Sequence, residues 1–205
     1  METNFNHEQS LTLISEMINR ARNNVKVKGA YSLIYWGYVV AALAIVHAIL
    51  FNLLSAPMQS AFVWLAMIPA AAVGVYIERR IERETLVKTH IDKIGNMVWT
   101  GFLISFVVFT IVIHAVRVNL KFELEQIFLL NIPVIMILLG MGQFFTACIY
   151  RAKMWNLLAA FSWLAAIACT FVRLDVQFII FAACMIVGFA IPGHILNRQS
   201  KENHV

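Results

Sequence analysis

Residues 30–51 read AYSLIYWGYVVAALAIVHAILF, twenty-two positions without a Lys, Arg, Asp or Glu. A helix of that length reaches roughly 33 Å at about 1.5 Å per residue, enough to cross a hydrocarbon core of about 30 Å. The apolar residues are continuous rather than alternating with period two, so the stretch reads as a membrane helix and not as a barrel strand.

Five more runs of the same kind follow, at 60–77, 95–116, 126–147, 155–172 and 177–195. Over the 205 residues, 61% are hydrophobic and 13% charged, whereas soluble domains carry about 25% charged residues. The expected fold is therefore all-α: a polytopic membrane protein whose domain at 30–195 forms six transmembrane helices as three consecutive hairpins. Residues 1–29 are expected to hold a cytoplasmic amphipathic interfacial helix and residues 196–205 a cytoplasmic tail. The first run follows about thirty polar residues and lacks a small-residue cleavage site behind a short h-region, so it is expected to be retained.

The positive charges set the expected orientation. Arg20, Arg22, Lys26 and Lys28 precede run one, and Arg79, Arg80, Arg83, Lys88 and Lys93 separate runs two and three. Arg151 and Lys153 follow run four, and Arg198 and Lys201 follow run six. The other side has Arg117, Lys121 and Arg173. Thirteen against three places both termini in the cytoplasm. The net charge of +5 then serves topology and anionic headgroups rather than nucleic acid.

Ahead of the membrane, Asn6 and Gln9 have capping-box spacing, and Leu11, Ile14, Met17, Ile18, Ala21 and Val25 recur at three and four. This predicts a helix over 7–24, packed in the headgroup layer or docking a cytoplasmic partner, with Gly29 releasing the chain into run one. Run two is expected to continue through the charged segment 78–93, where Glu84 pairs with Lys88, as a solvated helix or as a partner-binding element. Pro69, Pro133 and Pro192 each follow an Ile and predict kinks mid-run in two, in the outer third of four and at the inner end of six. Ala66, Ala70 and Gly74, and likewise Ser162, Ala166 and Thr170, have the small-xxx-small spacing of close packing seams, within one chain or between two.

Candidate chemistry is sparse. The centres of the runs contain no Asp, Glu, Lys or Arg, which disfavours pumps built on a buried carboxylate. His47 and His114 fall at similar outer depths and could bind a haem, or a metal with help from Asp175 or Glu123; the plainer reading is interfacial packing or a hydrogen bond to a neighbouring carbonyl. His194, with Pro192, Gly193 and Asn197, reads as a helix exit. Cys148, Cys169 and Cys184 stand alone and read as small buried apolar residues, with no disulfide or zinc pattern. Asn131, Gln143 and Thr146 make run four the most polar, through interhelical hydrogen bonds or as a narrow polar pathway. No hydrolase, protease or phosphate-loop pattern is present, and no resident cofactor is expected.

The run Gly140-Met-Gly142-Gln143-Phe144-Phe145-Thr146 precedes a short loop, Tyr150-Arg151-Ala152-Lys153, with Trp163 in the next run. Together with the closing Ile191-Pro192-Gly193-His194-Ile195-Leu196 and the start Leu13-Ile14-Ser15-Glu16-Met17-Ile18, it resembles a family of uncharacterised small bacterial six-helix integral inner-membrane proteins. The resemblance spans nearly the whole chain and implies no activity, cofactor or catalytic residue; an association of such proteins with winged-helix regulators implies a partner-binding or stress-related role. The expected function is a non-enzymatic membrane protein acting through association with a protein partner or with itself. The alternatives are a small-solute facilitator or channel, and a haem- or metal-binding protein using His47 and His114.

Overall fold

The computed structural model describes the backbone of residues 7–55, 57–84, 90–120, 124–150 and 152–202, with side chains described within 29–199. Asn6, residues 85–89 of the charged segment, Glu123 and Arg151 lie outside the described residues, as do the side chains of the expected apolar face at 11–25. All described elements are helical. They are α1 (His7–Leu53), a 3-10 segment (Pro57–Ala66), α2 (Met67–Glu84), α3 (His90–Leu120), α4 (Leu124–Tyr150) and α5 (Lys153–Cys169). After them come α6 (Leu174–Met185), a π-turn (Ile186–Ala190) and α7 (Ile191–Glu202). Five helical stretches are long and apolar enough to cross a membrane: Gly29–Leu53, Gln59–Ile81, Lys93–Val116, Leu129–Tyr150 and Leu174–Gln199. The chain is read as membrane-embedded on that basis.

The first correction concerns the amino-terminal helix. No break separates it from run one: α1 is a single helix of 47 residues, about 70 Å long. Gly29 lies inside it and does not release the chain, because one helical Gly costs only about 1 kcal/mol against Ala and neighbouring turns on both sides carry the ladder.

α1 packs along α6, the π-turn and α7, and this pairing forms the centre of the molecule. Ala30 and Ala44 are 0% exposed, and Ala41 and Ala48 are buried beside them. The approach is so close that a Cβ on Gly37 would lie 2.6 Å from the Ala190 amide nitrogen, and one on Gly193 would lie 2.9 Å from the Ala30 carbonyl oxygen. Positions 30, 37 and 44, and 34, 41 and 48, step by seven, the repeat that keeps one face toward a partner helix. α4 joins this centre through Ile132, Met136 and Leu139, and α5 through Ala165, Ala166 and Cys169. α4 packs most extensively on α5, and α5 only lightly on α6, so sequence neighbours are not the dominant pairs throughout.

Two helices stay outside. α2 rests on α1, and α3 rests on α4. None of the residues in the most apolar window of α3 is buried. α3 turns Trp99, Phe102, Phe106, Phe109 and Ile113 toward a half-buried side and leaves Ile104, Val107, Val108, Ile111 and Val112 exposed.

The prolines are absorbed in three ways. Pro69 is the third residue of α2, directly after the 3-10 segment; without an N–H it cannot close an α bond to the Leu65 carbonyl or a 3-10 bond to the Ala66 carbonyl, and in place of the expected mid-run kink the helix changes type there from 3-10 to α. Pro133 sits inside α4, which continues through it. Pro192 follows directly on the π-turn, and α7 then runs to Glu202, so His194 lies within a helix and marks no exit. α5 ends at Cys169 in three i→i+3 bonds, from the amides of Thr170, Phe171 and Val172, so run five stops short of 172 as an α-helix.

Gly37→Ala and Gly193→Ala are expected to destabilise the detergent-solubilised protein by about 1–3 kcal/mol each through overpacking. Gly101, which has nothing within 4 Å of a built Cβ, is expected to tolerate or gain from Ala. Unfolding midpoints of the three variants against the parent chain test the seam; equal midpoints would place it elsewhere.

Candidate functional site

Two buried polar centres stand out in the bundle. The first is built on His47, which α1 carries into the angle between the 3-10 segment and α6. His47 is 3% exposed, and its ring stacks on Phe178 with centroids 3.7 Å apart. Trp64 Nε1 donates to His47 Nδ1 at 2.9 Å, and Ser60 Oγ lies 3.2 Å from Nε2. An indole N–H can only donate, so Nδ1 carries the lone pair, and the neutral ring holds its proton on Nε2 and donates it to Ser60. The 3-10 geometry suits this. Four residues at about 2.0 Å each separate Ser60 and Trp64 by roughly 8 Å along the axis, which lets them reach opposite edges of one imidazole.

Both ring nitrogens of His47 are therefore engaged within the protein. His114 sits on the peripheral α3, exposed, with Nδ1 3.1 Å from the Thr110 carbonyl oxygen, one turn back on its own helix. The structure does not bring the two histidines into one cluster, and among the described residues no group of three or more His, Cys, Asp and Glu is placed to share a metal. Asp175 is held elsewhere, at the start of α6.

The second centre lies on α4. Gln143 is 0% exposed, and its Oε1 accepts from Ser162 Oγ at 2.8 Å, tying α4 to α5. Its Nε2 has no partner and faces the π-turn, where a Cβ on Gly188 would lie 2.8 Å away. The π-turn has acceptors to spare. The Ile191 amide bonds the Ile186 carbonyl, and Pro192 has no N–H, so the Val187 carbonyl has neither its α nor its π donor. Thr146 is 6% exposed and donates to its own Gly142 carbonyl at 2.7 Å, while Asn131 is half-buried twelve residues away, about 18 Å along the helix. The three polar residues of α4 thus do not form one line of open hydrogen-bonding groups.

The glycines of the 140–146 segment have a packing role. The Trp163 indole lies over Gly140 and donates to the Ile137 carbonyl at 3.2 Å, while Trp99 of α3 lies over Gly142. Two tryptophans from two helices are seated on α4 by two glycines. Of the expected seams, Gly74 is buried under Trp36, and the Ala70 carbonyl accepts from Tyr35 Oη at 2.7 Å. Ala66, the last residue of the 3-10 segment, is exposed. Ser162 and Ala166 are buried at 3% and 2%, but Thr170 lies in the turn beyond α5 and is exposed. Cys169 and Cys184 are buried; Cys148 is exposed, against expectation. The sequence reading missed Ser60 and Trp64, whose only signal was their spacing after a short turn, and the heptad of small residues on α1.

The chain matches no family model, no curated protein and no solved structure.

Trp64→Phe strands the Nδ1 lone pair of His47 and is expected to cost about 1–3 kcal/mol, read as a lowered unfolding midpoint. Ser162→Ala strands the Gln143 carbonyl oxygen and is expected to cost a similar amount. Gln143→Leu removes the donor and acceptor together and is expected to stay within about 1 kcal/mol of the parent, since the Ser162 hydroxyl can turn to its own helix. A Gln143→Leu variant less stable than Ser162→Ala would refute this reading.

Proposed function

We propose that this chain is a non-enzymatic membrane protein that acts by association within the bilayer, with α3 as its principal contact surface. The observation that carries this reading is the contrast between helices of similar apolarity. The spans at Leu129–Tyr150 and Leu174–Gln199 bury half or more of their most apolar window, whereas that of Lys93–Val116 buries none. A helix attached along one side, to α4 and through Trp99 to Phe189 of the π-turn, keeps most of its circumference for another helix. The buried polar groups favour the same view, because His47 and Ser162 are spent on holding helices together and Thr146 on its own helix.

The finer architecture belongs to this proposal. Six crossings follow if α5, at 17 residues or about 25 Å, spans with help from the 3-10 turn after it or from local thinning of the bilayer. The distribution of Lys and Arg, thirteen against three, supports both termini in the cytoplasm and a bacterial inner membrane as the site. The resemblance to small bacterial inner-membrane proteins supports a partner-binding role, with a second copy or a cytoplasmic protein as the partner.

Gentle detergent extraction from native membranes is expected to yield a homo-oligomer or a stoichiometric complex. Ile104→Trp with Ile111→Trp, on the exposed side of α3, is expected to dissociate that species without lowering the unfolding midpoint. A parent chain that sediments as a lone monomer at membrane-like protein-to-lipid ratios would overturn the proposal.

A further inference from the structure

At the end of the bundle where α1 stops and α6 begins, a cleft of about 410 Å³ opens between the two helices, the second turn of α4 and the turn after α5. Its walls are Phe51, Leu129, Phe171 and Leu174, and its polar residues are Arg173, Asp175 and Thr170, whose hydroxyl donates to the Ile167 carbonyl. Phe51, Leu129 and Leu174 each lie at the end of a membrane-crossing stretch, so the cleft sits at headgroup depth whichever way the protein is oriented.

Its polarity is ordered. Phe171 is 83% exposed beside it, a ring placed to meet acyl chain. The Arg173 side chain is 76% exposed, and that of Asp175 only 14%. The carboxylate is poorly served by the protein: Arg173 Nε approaches Oδ1 to 3.3 Å without a hydrogen bond, and Asn52 Nδ2 reaches Oδ2 at 3.3 Å. Oδ1 is sealed from solvent, so what remains accessible is the Oδ2 edge. α6 adds a second feature. Its amino terminus has no side-chain cap, so the first amides, at Leu174 and Asp175 in the cleft wall, have neither an intrahelical acceptor nor a capping oxygen. Such a terminus, next to a guanidinium, favours a phosphate.

We propose that this cleft binds the headgroup of an aminophospholipid, with the phosphate at Arg173 and the α6 amino terminus and the primary ammonium at Asp175. Opposite charges two residues apart match a zwitterion better than a purely anionic headgroup. An ammonium brings three donors to a carboxylate with two weak ones. The inference rests on the chain crossing a bilayer and is independent of the association surface on α3.

The test uses the full-length protein in vesicles of equal phosphatidylethanolamine, phosphatidylcholine and phosphatidylglycerol, released into native mass spectrometry. Phosphatidylethanolamine adducts are expected to exceed phosphatidylcholine adducts about fivefold, the effect of a pair worth roughly 1 kcal/mol. Asp175→Asn is expected to bring that ratio close to one, and Arg173→Gln to lower the adducts of all three lipids. Equal retention of the ethanolamine and choline lipids by the parent chain would overturn the proposal without any variant, since N-methylation removes the donors and keeps the phosphate. Dominant phosphatidylglycerol binding that persists in Asp175→Asn would also overturn it, in favour of a simple anion site. Recovery of the protein in the soluble fraction of cells would instead remove the membrane reading beneath both proposals.

Discussion

Backbone contact between α1 and the last span is the constraint on which the other arrangements depend. Lipid tails are as apolar as Leu, so helices gain little by hiding oily surface from them, and association rests on close packing and interhelical hydrogen bonds. Gly37 against Ala190 and Gly193 against Ala30 bring two helix backbones within van der Waals contact over several turns. That spacing puts His47 close enough to stack on Phe178 and so draws in the 3-10 segment through Ser60 and Trp64. It also fixes the axis of the last span at the depth where Gly188 meets Gln143. A larger residue at either glycine would move both polar centres together.

The three Ile-Pro pairs look alike in sequence and are resolved differently because each meets a different neighbourhood. Pro69 sits where the 3-10 segment passes into α2, so its missing N–H falls at a change of helix type. Pro192 stands in α7 only two residues in, and the preceding backbone widens into a π-turn that moves the Ile191 amide to Ile186. That shift leaves acceptors on the span, and a buried amide donor on α4 faces them across the space a glycine leaves open. The π-turn, Gly188 and Gln143 are best regarded as one feature, although they come from two helices 45 residues apart.

Membrane embedding and helical class were legible in hydropathy alone, because a run such as 30–51 admits no other reading. Five of the six runs reappear as stretches long enough to cross, and the sixth as the shorter α5. Helix type was not legible. Nothing in 57–66 distinguishes a 3-10 segment from an α-helix, and Ala66 at the end of that segment is exposed while Gly74 is buried. The partners of polar side chains were illegible for a related reason. His47 and His114 look equivalent by depth, yet the first is enclosed by Ser60, Trp64 and Phe178 and the second stands on an outlying helix, a difference set by which helices pair. The alternation of large and small residues on α1 was in the sequence throughout, but a stripe of Ala in a membrane helix acquires meaning only when its partner helix is known.

A division of labour follows from where polarity is consumed. In the interior, most partnered side-chain groups link two helices or cap a turn, Ser162 to Gln143, Trp64 to His47, Trp163 to Ile137 and Gln177 to Cys169, while Thr146 bonds back to its own helix. Groups committed in this way lose their full desolvation cost when a ligand displaces the partner, so they are poor places to bind anything that must later leave. Besides the buried Gln143 Nε2 and Gln177 Oε1, the weakly committed groups lie at the edges: the exposed faces of α3, and the carboxylate of Asp175 beside the uncapped start of α6. A small membrane protein built like this uses its interior to fix the positions of its outer helices. The proposed recognition of another helix or a lipid from the side agrees with that division.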